Sequence, residues 1–205
     1  MSSKAKQAHR KLAVFLGLFL AVHFATHFSA IGGIAAQGQV MTWGRQIYQF
    51  PIIEAALAVA LAAQIFLGIK LLRAIRKRRA KGFWHKVQFL SGCFLAFFIT
   101  MHTVAALGTR LIIGLDTNFY WAAGTLVLTP LKYGFAPYYF LAVTALAGHL
   151  AAALHFRGKG KWKFPVFAAG PVAGIMIILA YSGTLYPIDL PDTHRDYFVK
   201  NLGAD

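Results

Sequence analysis

Four histidines sit inside long apolar runs of this 205-residue chain. His23 and His27 lie in "KLAVFLGLFLAVHFATHFSAIGGI", His102 in "FFITMHTVAALGTR" and His149 in "YFLAVTALAGHLAAAL". A neutral imidazole can ligate a transition metal, pass a proton, or hydrogen-bond to a neighbouring helix. A single histidine in such a run is explained by the last of these. Three runs that each carry one favour iron held edge-on between imidazoles from facing helices, as in a haem protein. A proton relay through the same residues is the sharp competitor. A cofactor-free scaffold that uses the rings for packing is the plain one.

The elements that must position these residues are membrane spans. Hydrophobic residues make up 58% of the chain. Five segments, about 11–31, 51–72, 87–112, 136–157 and 164–183, are long enough to cross a hydrocarbon core ~30 Å thick. The expected fold is all-α, a polytopic bundle of five transmembrane helices forming a single domain over 1–205. Gly, Ala, Ser and Thr recur in every segment and let helices approach closely in lipid. The amino-terminal run lacks a clear small-residue cleavage site and reads as an uncleaved span.

The net charge is +15, from 21 Lys and Arg against six Asp and Glu. Its distribution excludes a nucleic-acid reading. Four basic residues precede the first span, eight lie in "KLLRAIRKRRAKGFWHK" and four in "RGKGKWK". The other five (Arg45, Arg110, Lys132, Arg195 and Lys200) share the opposite side with all six acids. This alternation predicts a cytoplasmic N-terminus and an outside C-terminus. Anionic lipid suffices as partner for the basic loops, which could also dock an acidic cytoplasmic subunit. Cys93 is the only cysteine, so intrachain disulfides and Cys-ligated iron–sulfur clusters are excluded. No Walker loop or dinucleotide fingerprint occurs.

At ~1.5 Å per helical residue, His23 lies about 18 Å and His102 about 24 Å above the inner edge. Gln64 and His149 lie only about 9 and 12 Å above it. Polar residues thus sort into an outer level, His23 with His102, and an inner level, Gln64 with His149. His27, one turn beyond His23, is a rival ligand or a neighbour to a haem propionate. His9, His85, His155 and His194 are expected to be interfacial or solvated. Trp43, Tyr48 and "NFYW" read as interfacial belt residues.

The order, depth and pairing of these motifs resemble the five-helix cytochrome b membrane anchors of succinate dehydrogenase and fumarate reductase. "LGLFLAVH" ending at His23, "FFITMHTVAALGTR" with His102 and Arg110, and "YFLAVTALAGHLAAAL" with His149 carry the likeness, over residues 8–157. That family holds two haems, with ligands from the first and third helices and from the second and fourth. The resemblance implies haem b on His23 and His102, and His149 as a ligand of a second haem. The departure is in "AAQIFLGIK": Gln64 stands where the family has a histidine, four residues before Gly68. Glutamine is not a usual haem ligand. One secure haem is expected, on His23 and His102; the inner level is left with no haem, with a haem held by His149 alone, or with a pocket reused for something else, such as a vestigial one in which His149 hydrogen-bonds Gln64.

The resemblance further implies a flavoprotein and an iron–sulfur partner on the cytoplasmic side, quinone as substrate, and a bacterial cytoplasmic membrane. The anchor passes electrons and has no dicarboxylate chemistry of its own. Glu54 is the only carboxylate within a span and is a candidate proton carrier for quinone. Its position beside Pro51 is equally that of a helix N-terminal acid. Arg110 is a candidate propionate partner or snorkels to headgroups. Anchors of other respiratory oxidoreductases usually have four spans and another histidine order. The polar tail "YSGTLYPIDLPDTHRDYFVKNLGAD" has no assigned role beyond contact with a partner.

Overall fold

The computed structural model describes residues 3–77, 81–158 and 160–205, and among these every regular element is helical. Five helices are long and apolar enough to cross a membrane: α1 (Ser3–Ser29), α3 (Pro51–Lys77), α4 (Phe83–Gly108), α6 (Leu131–Phe156) and α7 (Gly160–Tyr181). Three shorter helices join or follow them: α2 (Ile34–Tyr48), α5 (Phe119–Val127) and α8 (Asp192–Leu202). The sequence reading placed all five spans and missed the three short helices.

Local chemistry sets most boundaries. Pro51 opens α3, where its missing N–H is not needed. The Asn118 side chain accepts a 2.9 Å hydrogen bond from the Tyr120 amide and starts α5. After Gly108, α4 widens into a π turn over Thr109–Ile113 and stops at Gly114, whose φ is +75°. The largest difference from expectation is at the start. No Gly or Pro interrupts residues 3–16, so α1 begins eight residues before the predicted span and its basic prefix is helical. His9 therefore belongs to the bundle.

The spans pack in sequence: α1 on α3, α3 on α4, α4 on α6, α6 on α7, with α7 returning to α1. The α6–α7 seam is the closest. A β-carbon on Gly170 would come within 2.6 Å of the Ala147 side chain, so only glycine allows that approach. Neither α1 with α4 nor α1 with α6 forms such a packed pair among the described residues. The start of α1 and the α3–α4 and α6–α7 connections define what we term the basic end. Arg78, Arg79 and Lys159 of those runs lie outside the described residues.

The best-buried core lies at the other, far end. Phe119, Trp121, Leu126, Tyr181 and Phe198 form it, while the spans turn much of their surface outward. The C-terminal tail supplies part of this core by folding back as a cap. Phe198 is 1% exposed and packs on Gly124 of α5, where a β-carbon would clash with its ring. Tyr186 Oη donates to the Ala30 carbonyl at 2.6 Å, Tyr197 Oη pairs with Thr109 Oγ1 at 2.9 Å, and the Asp205 amide donates to the Thr129 carbonyl at 2.7 Å. His194, expected to be solvated, is instead buried, and its Nε2–H donates to the Asp116 carbonyl at 3.0 Å.

Candidate functional site

The far-end site is built on helical i, i+4 ladders. On α1, Phe19, His23 and His27 follow one another at single-turn spacing. The Phe19 ring stacks on His23 at 5.6 Å, and His23 meets His27 edge-on at 4.6 Å. On α4, Phe98 stacks on His102 at 5.4 Å with the rings 8° from parallel. Each imidazole is thus backed by an aromatic ring one turn earlier. The two ladders bring His23 and His102 together, with ring centres 6.0 Å apart. This is the pairing that the depth argument predicts.

The two neighbouring histidines of α1 are not equivalent. His27 Nδ1 lies 3.1 Å from the Oη of Tyr181, a fully buried residue of α7. No hydrogen bond engages the His23 or His102 rings among the described residues. Tyr181 thus engages one ring nitrogen of His27, whereas the rings of His23 and His102 carry no such bond among the described residues.

Two imidazoles that share one metal at about 2 Å from each nitrogen have ring centres roughly 6 Å apart. The observed 6.0 Å matches this. No group of three His, Cys, Asp or Glu side chains is placed to hold a bare ion among the described residues. Two protein ligands suit a metal that brings its own planar set of ligands. The helices that carry them, α1 and α4, are not packed on each other, as such an insertion needs. Nearby, the indole N–H of Trp121 is buried without a hydrogen-bond partner, and its ring lies 6.3 Å from His102.

Charged groups frame the far end. Arg110 donates to Glu54, which joins the π turn to the first turn of α3. Arg45 of α2 pairs with Asp116 at 2.8 Å. The two charged candidates of the sequence are therefore one ion pair. Burial pushes the Tyr48 phenol above its ordinary value, and the adjacent Arg45 pulls it the other way. A slot of about 180 Å³ between α1, α2 and α3 is lined by Phe19, Val22, Gly44, Tyr48, Ile53 and Leu57. It is apolar apart from Tyr48 at its edge.

The basic-end level differs from expectation. His149 does not partner Gln64: its Nδ1 lies 3.2 Å from Ser91 Oγ of α4. Gln64 Nε2 instead lies 3.4 Å from His9 Nε2. His9, expected to be solvated, fills the space beside Gln64 because the early start of α1 carries it there. The only signal in the sequence was the unbroken helical prefix. His85 packs on Phe156 at 4.7 Å, and His155 stacks on Trp84 at 5.4 Å and meets Lys163 Nζ at 3.3 Å. These last two are half-buried at the basic end.

The chain matches no protein-family model, no curated protein and no solved structure.

Proposed function

We propose that the protein is a haem b-containing membrane anchor that passes electrons between a flavoprotein and iron–sulfur pair and membrane quinone, as in succinate:quinone oxidoreductase or fumarate reductase. The observation that carries the reading is the 6.0 Å approach of His23 and His102 from two helices that are not packed together. When bound, haem supplies a one-electron redox centre whose potential follows its axial ligands and burial. The chain's own residues fix its place. His23 and His102 orient against Phe19 and Phe98, while the tail keeps bulk water from the far end. His27 and Tyr181 hold the flank of α1.

Quinone chemistry also moves protons. In this reading Glu54 is the group that accepts one, and Arg110, which donates to it, holds the carboxylate in place. The apolar slot beside Tyr48, lined on α3 by Ile53 and Leu57, is the place this reading gives to an apolar ring. The positive-inside distribution supports a cytoplasmic basic end, and in this reading the host would be a bacterial cytoplasmic membrane. Its basic runs would receive the soluble partner subunits.

The test is optical. The purified chain should show a Soret band and a reduced b-type α band, and His102→Ala should remove the far-end contribution. A colourless preparation from haem-replete cells would sink the reading and leave a histidine-bearing scaffold.

A further inference from the structure

The basic end carries a cluster in which one cation is held against rings rather than left in water. Three helices meet there. α4 brings Trp84 in its first turn, α6 brings His155 in its last, and α7 brings Lys163 in its first. The Trp84 and His155 rings stack at 5.4 Å, 21° from parallel. Lys163 Nζ lies 5.4 Å from the centre of the Trp84 ring and 5.0 Å from that of Phe164. It also donates to His155 Nδ1 at 3.3 Å. Phe164 and Phe167 pack on Trp84 at 5.7 and 6.0 Å. Lys163 is half-buried, whereas its neighbours Arg157 and Lys161 are exposed.

Nothing acidic in the chain balances this lysine. A lysine stem at a membrane boundary ordinarily extends until its head reaches water. Here the head is turned back onto two aromatic rings and one imidazole. It also stands in the first turn of α7, where the helix dipole disfavours a cation and no acid accompanies it. Residues 55–115 and 117–188 contain no Asp or Glu. The ion pairs among the described residues use Glu54, Asp116 and Asp196, which belong to the far end and its cap. The 26 residues of α4 put roughly 39 Å between the two ends. An ammonium has three hydrogens to donate. The His155 lone pair takes one, in the tautomer whose Nε2–H is a further donor. Positive charge and donors are gathered here with no carboxylate of the chain to receive them.

We infer that Lys163, Trp84 and His155 form a site for the headgroup of one anionic phospholipid in the leaflet at the basic end. The surroundings select this occupant. Phe83, Trp162 and Phe164 are each more than half exposed around the cluster, so an apolar face adjoins the positive charge. A phospholipid has the matching pair, acyl chains for the rings and a phosphate for the ammonium. An acidic segment of a soluble protein, or inorganic phosphate, matches only the charge. α7 is a candidate span, and the first turn of a span lies at headgroup level, where tryptophan is favoured. General attraction of basic loops to anionic lipid is shared by every exposed Lys and Arg. This site differs in that one lysine is positioned by a stacked pair of rings. It stands apart from both imidazole levels and does not depend on haem.

The experiment is native mass spectrometry of the full-length chain in detergent and about 0.2 M ammonium acetate, where exposed charges are largely screened. The chain is titrated with dioleoyl phosphatidylglycerol and, separately, with dioleoyl phosphatidylcholine. The first phosphatidylglycerol should bind about tenfold tighter than the first phosphatidylcholine, the step expected of one charge-assisted contact. Lys163→Gln should remove that preference. Lys161→Gln deletes the same charge two residues away and should keep it. Trp84→Leu should weaken it with no change in charge, because the lysine is released to water; it serves where Lys163→Gln does not accumulate. Equal affinity for the two lipids overturns the inference. So does an equal loss in Lys161→Gln and Lys163→Gln, or a preference indifferent to both Lys163→Gln and Trp84→Leu. Displacement of the bound lipid by excess inorganic phosphate or by poly-glutamate also overturns it, and gives the cluster to a soluble anion or to an acidic protein.

Discussion

The two imidazole levels use different means to hold their rings. At the far end, stacked aromatics do it: Phe19 behind His23, Phe98 behind His102, and Tyr181 fixing the neighbouring His27. At the basic end His85 and His155 have aromatic neighbours, but no ring pair engages His9 or His149 among the described residues. Polar side chains do the work, Gln64 on His9 and Ser91 on His149, with glycines letting the rings lie close to the helices. The far end is also capped by α5 and α8, whereas the basic end carries its positive runs. A ring held by packing is steered by shape. A ring held by a hydrogen bond is also set in its tautomer, so its ligand strength depends on its partner.

The largest expected effect breaks the comparison outright. His102→Ala should abolish the far-end haem signal in the reduced-minus-oxidised spectrum. An unchanged spectrum would refute His102 as a ligand and with it the distinction between the two levels. Glu54→Gln should come next. It keeps a hydrogen bond to Arg110 but removes the base, so quinol-dependent turnover should fall about 100-fold with haem content unchanged, near the lower bound for a positioned acid–base group. A haem count that fell with the rate would assign Glu54 a structural role.

Gly124→Val probes the cap. A branched side chain has no room under Phe198, and overpacking of this kind costs roughly 1–3 kcal/mol. The far-end signal should be lost at a lower temperature in thermal melts, and α8 should become open to protease. The smallest effect is expected from Tyr181→Phe, which removes one hydrogen bond from His27, worth about 1 kcal/mol. Thermal stability should drop slightly and haem content should hold. Loss of haem in this variant would show that His27, and not His23, is the ligand.

Much of the far end could be read from the sequence. The hydrophobic runs set five spans, and counting residues from the basic boundaries put His23 and His102 at one level, where they meet. Counting failed at the basic end because it took Lys11 as the start of the first span. Helix propensity continues through the preceding charges, and Lys and Arg side chains can reach outward from a helix that is already among its neighbours. This error placed His9 in solvent and left Gln64 and His149 to find each other. The tail was illegible for another reason. Its burial depends on one aromatic meeting one glycine 74 positions earlier, and no local pattern encodes that. His194 was misjudged with it.

The cap has a consequence for biogenesis. Its docking ground, α5, is laid down between α4 and α6, before the last two spans are made. The tail can reach that ground only if α6 has crossed one way and α7 has crossed back. A chain in which either span failed to insert would leave Phe198 stranded on the wrong side of the bilayer, with Gly124 uncovered. Closure of the tail on α5 therefore fails whenever only one of the last two spans has crossed.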